Sequence, residues 1–348
     1  MPFSHKMIIF AASGKVPGRS IGEGLSLTPR SKNNLNNLPI MRIAYLISAH
    51  TDAPHLAKMV EALQVDGMTD FFVHVDKKVD LRPFLEALPP SESHVTYCKS
   101  RIYTQWGYSQ SLYQRALLDE CIESGKIYDR VCFLTGQDYP LWSNERIIHE
   151  LTSHPEQEYI KGTDLTLITE HNKKQRDRIV LYHFFRDLKV PNKFLLRAFR
   201  CGSRMVMRVL PFRKKPYIVD HGQVKHVFYS SAYCCLTWAC AKHVHEQMHN
   251  PVLERYFKYS FAPDELMVPT IVYNSPYAQH AFLREDGNPK LAGLTLLHHI
   301  DYGSVIRIWK EEDFDLLMQT GKMFTRKLVS GISNGLMKRI DEARKSGL

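Results

Sequence analysis

The chain has 348 residues and a formal charge of +10, with the 44% hydrophobic and 24% charged content of an ordinary globular protein. No apolar run approaches the roughly 20 residues that a membrane-spanning helix needs. The seven cysteines are scattered and contain no CxxC pair, so they indicate neither a disulfide framework nor a structural zinc site, and a reducing compartment is the simpler reading. The positive balance points to anionic partners such as phosphates or an acidic membrane face.

In chain order, Met7–Ala12 is a short hydrophobic burst behind one lysine, below the roughly 7–15 residues of a signal core. Residues 13–40 turn polar, with Pro17, Pro29 and Pro39. Residues 1–40 therefore read as a disordered leader, or as an upstream extension of a chain starting at Met41. Organised sequence begins at Arg42. Ile43–Ile47 is a buried-strand run ending in Ser48-Ala49-His50, and Leu56, Met59, Val60 and Leu63 then recur at helical spacing. Phe71–Val75 is a second strand, ending at Asp76-Lys77-Lys78, and Val95–Cys98 a third. A helix is expected over 109–123. Arg130–Thr135 is a fourth strand, ending at Gly136-Gln137-Asp138.

Strands alternating with helices argue for an α/β domain over 41–330 with a doubly wound, Rossmann-like and mostly parallel sheet. Such sheets bind ligands beyond the carboxyl ends of their strands, which would gather His50, Asp76 and Asp138 along one edge. A loop Asp is more often a turn residue, and it is the run of three strand ends that lifts the set above that reading. No P-loop and no GxGxxG follows the first strand, against a nucleoside triphosphatase or a common dinucleotide site.

Residues 172–216 form a basic insertion. Lys173, Lys174, Arg176 and Arg178 lead to Arg197, Arg200, Arg204 and Arg208 at three- and four-residue spacing among apolar residues, and no acid occurs from 188 to 219. Two readings stay open at even weight: a helix over 192–216 lying on an anionic membrane, or a solvated basic face. No nucleic-acid signature accompanies the charge.

Val224–Phe228 reads as a strand and Trp238–Met248 as a helix. Pro263 then opens an apolar helix running through Tyr273, which puts Asp264 and Glu265 in its first turn, where acids cap helices. The alternative is a general base facing a cleft. Leu296–Tyr302 is strand-like, a helix spans about 311–319, and 331–348 is a helical tail. The one literal DxD, Asp313-Phe314-Asp315, reads as a charged helix start.

Four blocks, Val73-His74-Val75-Asp76-Lys77-Lys78, Tyr103-Thr104-Gln105-Trp106, Leu134-Thr135-Gly136-Gln137-Asp138-Tyr139-Pro140-Leu141 and Ala262-Pro263-Asp264-Glu265, together resemble the core-2/I-branching β-1,6-N-acetylglucosaminyltransferases. These make up glycosyltransferase family 14, which also holds the peptide O-xylosyltransferases, and the resemblance runs from about 42 to 328. It implies a GT-A fold and an inverting transfer of N-acetylglucosamine from a UDP-sugar to a glycan or glycolipid, with no metal or other cofactor. Ser48, Ala49, His50, Asp76, Lys77, Lys78 and Tyr103 match donor-nucleotide positions, and Asp138 is counted with them. Glu265 matches the catalytic base. Lys327 matches a cation that replaces the metal at the diphosphate, and Arg307 is the nearest candidate for a second. Ser231, Ala232, Tyr233 and Tyr302 match positions near the donor sugar and acceptor, with Asp264 shaping the turn beside them.

The chemistry agrees with that resemblance. Inverting transfer needs a base at the acceptor hydroxyl, and fixed cations can carry the charge of a diphosphate leaving group. A bacterial-type cytoplasmic enzyme at the inner face of the membrane is the expected setting. The alternatives are a xylosyltransferase, or a non-catalytic binder of nucleotides or polyanions.

Overall fold

Strand β1 (Ile43–Ala49) is buried along nearly its whole length, as an apolar run at the centre of a parallel sheet should be. The structure is a computed structural model and describes residues 40–91, 94–189, 192–209 and 212–347, all within one compact unit. The leader expected over 1–40 lies outside the described residues, apart from Ile40. Helix α1 (Ala53–Leu63) is capped by the Asp52 carboxylate, which accepts from the His55 N–H at 3.2 Å. It buries the four residues whose spacing announced it and leads to β2 (Thr69–Val75).

Helix α2 (Arg82–Ala87), β3 (Val95–Tyr97), α3 (Ser109–Glu123), β4 (Arg130–Thr135) and β5 (Asp138–Pro140) follow. Next come α4 (Asn144–Ser153), β6 (Glu158–Asp164), α5 (Lys173–Val180) and α6 (Lys193–Val209). The hairpin of β7 (Tyr217–Asp220) and β8 (Gln223–His226) precedes β9 (Phe228–Ser230), β10 (Cys235–Thr237), α7 (Trp238–Met248) and α8 (Pro251–Phe257). The chain closes with α9 (Met267–Tyr273), β11 (Ala281–Leu283), α10 (Leu291–Leu294), β12 (His298–Ile300), α11 (Phe314–Met318), β13 (Phe324–Arg326) and α12 (Asn334–Lys345).

The main sheet runs β11-β6-β10-β4-β1-β2-β3, with β9 on β6. Its half around β1 is parallel, and β10 enters antiparallel between β4 and β6. The fold is α/β and Rossmann-like. Alternate residues of β1 feed two cores: Tyr45 and Ile47 pack with α1 and α12, while Ala44 and Leu46 pack with α3, α7 and α9. The C-terminal helix is part of the first core, burying Leu336, Met337 and Ile340 there.

The order β2-β1-β4 makes a switch point, because the chain winds one way to β2 and β3 and then returns to the other side of β1. The strand ends are stitched there. Ser48 O accepts from the Gly136 N–H at 2.8 Å, and Ala49 O from the Asp76 N–H at 2.9 Å. A Cβ on Gly136 would lie 3.0 Å from that of Ala49, so the close approach depends on glycine.

A smaller sheet, β12-β13-β5, crosses this edge and sets Arg326 opposite Asp138.

Four expectations are revised. Val224–Phe228 is not one strand: β8 turns back on β7, and β9 leaves to pair with β6. The helix expected from Pro263 is a 3-10 turn over Pro263–Glu265, separated from α9 by non-helical Leu266 and entered through left-handed Ala262 at φ 49°. Residues 311–319 likewise divide into a 3-10 turn, Glu311–Asp313, and α11. The helix expected over 192–216 is α6, Lys193–Val209, with 212–216 non-helical, and α5 before it buries Ile179 in the second core. Among the described residues no helix is long and apolar enough to cross a membrane.

Candidate active site

The 3-10 turn sets Asp264 and Glu265 side by side at the wall of a cavity of about 230 Å³. The wall is shared by Trp106, Tyr113, Tyr233, Tyr302 and Arg326. Glu265 Oε2 accepts a hydrogen bond from Arg178 Nη1, and these side chains are 19% and 21% exposed, so the carboxylate is held in place yet open to a ligand. The Arg178 guanidinium lies 5.0 Å from the Tyr229 ring centroid and 5.3 Å from that of Phe261, which fixes its plane. Phe261 stacks on Trp106, 5.8 Å between centroids, at the mouth of the cavity.

Asp264 is in a different state from its neighbour. Burial, and then the charge of Glu265, push its carboxyl up from the usual 3.8 to about 7, with Arg178 opposing. Its folded value thus exceeds its unfolded one, so its contribution to stability is present in acid and lost as pH rises from about 4 through about 7. Asp264→Asn is expected to melt above the parent at pH 8, with the gap closing towards pH 5; thermal melts across that range check it, and a gap independent of pH would contradict it.

Across the cavity, positive charge collects at the ends of β1, β2 and β13. His50 is held below its ordinary range by the protein packed around it, then by the charges of Arg326, Lys78 and Lys327, with Asp76 pulling the other way. This places those five side chains in one neighbourhood. Asp76 accepts from the Lys78 N–H at 2.9 Å and lies 3.1 Å from Lys78 Nζ. Lys78 Nζ and Lys189 Nζ approach the Tyr103 ring at 5.7 and 4.8 Å. Ser48 reaches the cavity through a hydrogen bond with Tyr113. The Arg101 guanidinium donates to the carbonyls of Val75 (3.0 Å), Asp76 (2.9 Å) and Val79 (2.6 Å), which pins the loop after β2.

Of the residues singled out from sequence, Ser231, Ala232, Tyr233, Asp264, Glu265 and Tyr302 line the cavity, and Ser48, His50, Asp76, Lys78 and Lys327 adjoin it. Tyr302 shares a hydrogen bond of 2.9 Å with Thr295 Oγ1. Tyr103 lies beneath Lys78 and Lys189, and the other four have different surroundings. Ala49 is buried and contributes backbone, while Lys77 projects into solvent with its N–H on Ile102 O. Arg307 faces Asp313, with which it pairs, and lies over Trp309 at 4.9 Å; that Asp313 also accepts from the Lys310 N–H at 2.9 Å, the work of a turn-capping acid.

Asp138 does not face the cavity at all. It is fully buried, accepting from the Thr135 N–H and Oγ1 (both 2.7 Å) and from His298 Nε2 (3.2 Å), and it lies 3.4 Å from Arg326 Nη1. Despite burial, His298 and then Arg326 hold its carboxyl below the usual range. It therefore positions Arg326. Arg178, Arg326, Trp106 and Tyr113 are site residues that sequence reasoning missed.

The sequence profile of the Core-2/I-Branching enzyme family matches residues 43–301. Xylosyltransferase 2 of Rattus norvegicus is 24% identical over 318 residues, and that of Homo sapiens 24% over 317; each match covers 87% of this chain and 34% of the relative. The chain thus spans about a third of the length of the curated relatives it matches. Among solved structures, a cytidylyltransferase from Leptospira borgpetersenii aligns over 72% of this chain and 79% of that one, at 14% identity and a TM-score of 0.31.

Proposed function

The chain belongs to the Core-2/I-Branching enzyme family, and from that premise we propose that it is an inverting glycosyltransferase. It moves a sugar, N-acetylglucosamine, from UDP to a hydroxyl of a glycan or glycolipid, forming a β-1,6 linkage. The observation that carries this reading is that Glu265 and Arg326 line one small cavity, with Lys327 adjoining it. In the reaction, Glu265 takes the proton of the acceptor hydroxyl as its oxygen attacks the anomeric carbon from the face opposite UDP. The anomeric C–O bond breaks, and its electrons leave on the diphosphate. Arg178 orients the base. Arg326, Lys327 and Lys78 supply the fixed positive charge that the leaving group requires.

The reaction runs without a divalent metal. In favour of this, the acids at that end of the site are already engaged by protein groups: Asp76 by the Lys78 ammonium, and Asp138 by the Arg326 guanidinium and the His298 ring. A hundredfold excess of UDP over its Kd is expected to raise the melting temperature by roughly 5 °C, equally in EDTA and in Mn²⁺. Turnover that vanished in EDTA and returned with Mn²⁺ would sink metal independence. A xylosyl donor is the second reading, favoured by the xylosyltransferases among the relatives. Melts against UDP-N-acetylglucosamine and UDP-xylose separate the two. The enzyme's proposed setting is the cytoplasm, at the inner face of the membrane.

A further inference from the structure

Helix α6 meets the body through Leu196, Arg200, Ser203 and Met207, a stripe at the spacing of a helix that packs on one face. Its apolar residues do not stop there. Phe194 is 82% exposed, Met205 71% and Val209 86%, and Leu195, Phe199 and Val206 are exposed beside them. At about 100° per residue these six occupy one arc turned away from the docked stripe. Arg197, Arg204 and Arg208 occupy the adjoining arc, and all three are exposed. Isolated exposed apolar side chains are ordinary, but a contiguous patch of this kind marks an interaction surface. Phe185 and Phe212, on the segments flanking the helix, extend it. Between Phe184, Phe185, Phe199 and Val206 the surface dips into an apolar groove of about 510 Å³.

We propose that this face of α6 docks on an anionic lipid bilayer, with the aromatic and aliphatic arc among the acyl chains and the arginines at the phosphates. Charge decides between occupants. A second copy packed on the same face would set arginine rows against each other; the stretch 188–219 holds no acid, and the Asp177 carboxylate, 3.7 Å from Arg208, offsets one arginine of the three. Nucleic acid would satisfy the arginines and leave the apolar arc in water. An anionic bilayer satisfies both.

The docked helix is tied to the mouth of the cavity. Arg200 donates to the carbonyls of Phe185 at 3.1 Å and Arg186 at 2.8 Å, and also to Gln105 Oε1. Asp187 accepts from Ser109 Oγ at 2.6 Å, the Arg186 guanidinium lies 4.7 Å over Phe261, and Gln105 Nε2 donates to Leu188 O at 3.1 Å. Docking itself requires no catalysis. Its use, bringing the cleft to acceptors borne on lipid, rests on the proposed transferase reading.

The test spins the full chain with vesicles of phosphatidylcholine alone and of phosphatidylcholine mixed with phosphatidylglycerol. The parent sediments with the mixed vesicles only. Arg197→Ser/Arg204→Ser/Arg208→Ser lowers partitioning by about a hundredfold, at roughly fivefold per arginine. Phe194→Ser/Met205→Ser/Val209→Ser abolishes it. Both variants keep the parent's melting temperature and its shift with UDP, which shows that the fold and nucleotide site are intact. Binding without any UDP shift in the parent would uphold docking and remove the transferase reading. Docking is overturned if the parent fails to sediment, if it binds neutral vesicles equally well, or if gel filtration shows a dimer that the apolar variant disperses and no vesicle binding.

Discussion

Glu265→Gln lowers turnover by about 10²- to 10⁴-fold, the usual reach of a positioned general base, and leaves UDP affinity unchanged. Gln keeps the shape of the side chain and an oxygen for Arg178, but it cannot take the acceptor's proton. The loss therefore falls on kcat, with the KM for the UDP-sugar preserved. Steady-state kinetics beside UDP titrations separate these quantities. Unchanged turnover would take Glu265 out of the role, and a comparable loss in Asp264→Asn alone would move the base one residue back. A protein that only binds nucleotides or polyanions would show no turnover to lose.

The second large effect is on stability. Arg326→Met strips the buried Asp138 of its guanidinium partner, and removing one partner of a buried ion pair costs about 3–5 kcal/mol. The loss depends on pH in a definite direction. Asp138 has a depressed folded value, so its contribution is present above the unfolded value and disappears as pH falls through the folded one. Taking Arg326 away weakens the depression, so the gap between variant and parent is widest near neutrality and narrows in acid. Urea melts at pH 7 and pH 4 measure this. The double variant Arg326→Met/Asp138→Asn recovers part of the stability and none of the UDP affinity, which divides the structural role of the arginine from its role at the leaving group. A single variant as stable as the parent would refute the first role, and one with unchanged UDP affinity the second.

Sequence disclosed most of what has a local cause. Strand ends at His50, Asp76 and Thr135 were legible because an apolar run stops there, and the limits of α3 and α7 coincide with those read from pattern. Glu265 and Asp76 stood out because they sit in short motifs, and the cavity brings Glu265 to its wall and Asp76 beside it. What escaped depends on partners far away in the chain. Arg178 looked like one more member of a basic stripe, since nothing nearby reveals that its carboxylate lies 87 positions on. Arg326 is aimed by β13 pairing with β5, a register no local pattern reports. Asp138 after a strand reads the same whether it faces a ligand or turns inward, and only the smaller sheet closing over it decides.

Helix α12 has a consequence for how this protein is made. Its Asp341 accepts from the Tyr139 hydroxyl at 2.9 Å, and its Arg344 donates to the carbonyls of Trp142 at 2.8 Å and of Ala62, 282 positions earlier, at 2.7 Å. During synthesis, the part of this core that α12 covers stays open until those residues emerge, although α1 and α4 already pack there. At about 5–20 residues per second that interval is roughly 15–60 s. Contacts of such long range also slow folding once the chain is complete. A cut before Asn334 leaves Leu336, Met337 and Ile340 out of that core, with their neighbours exposed.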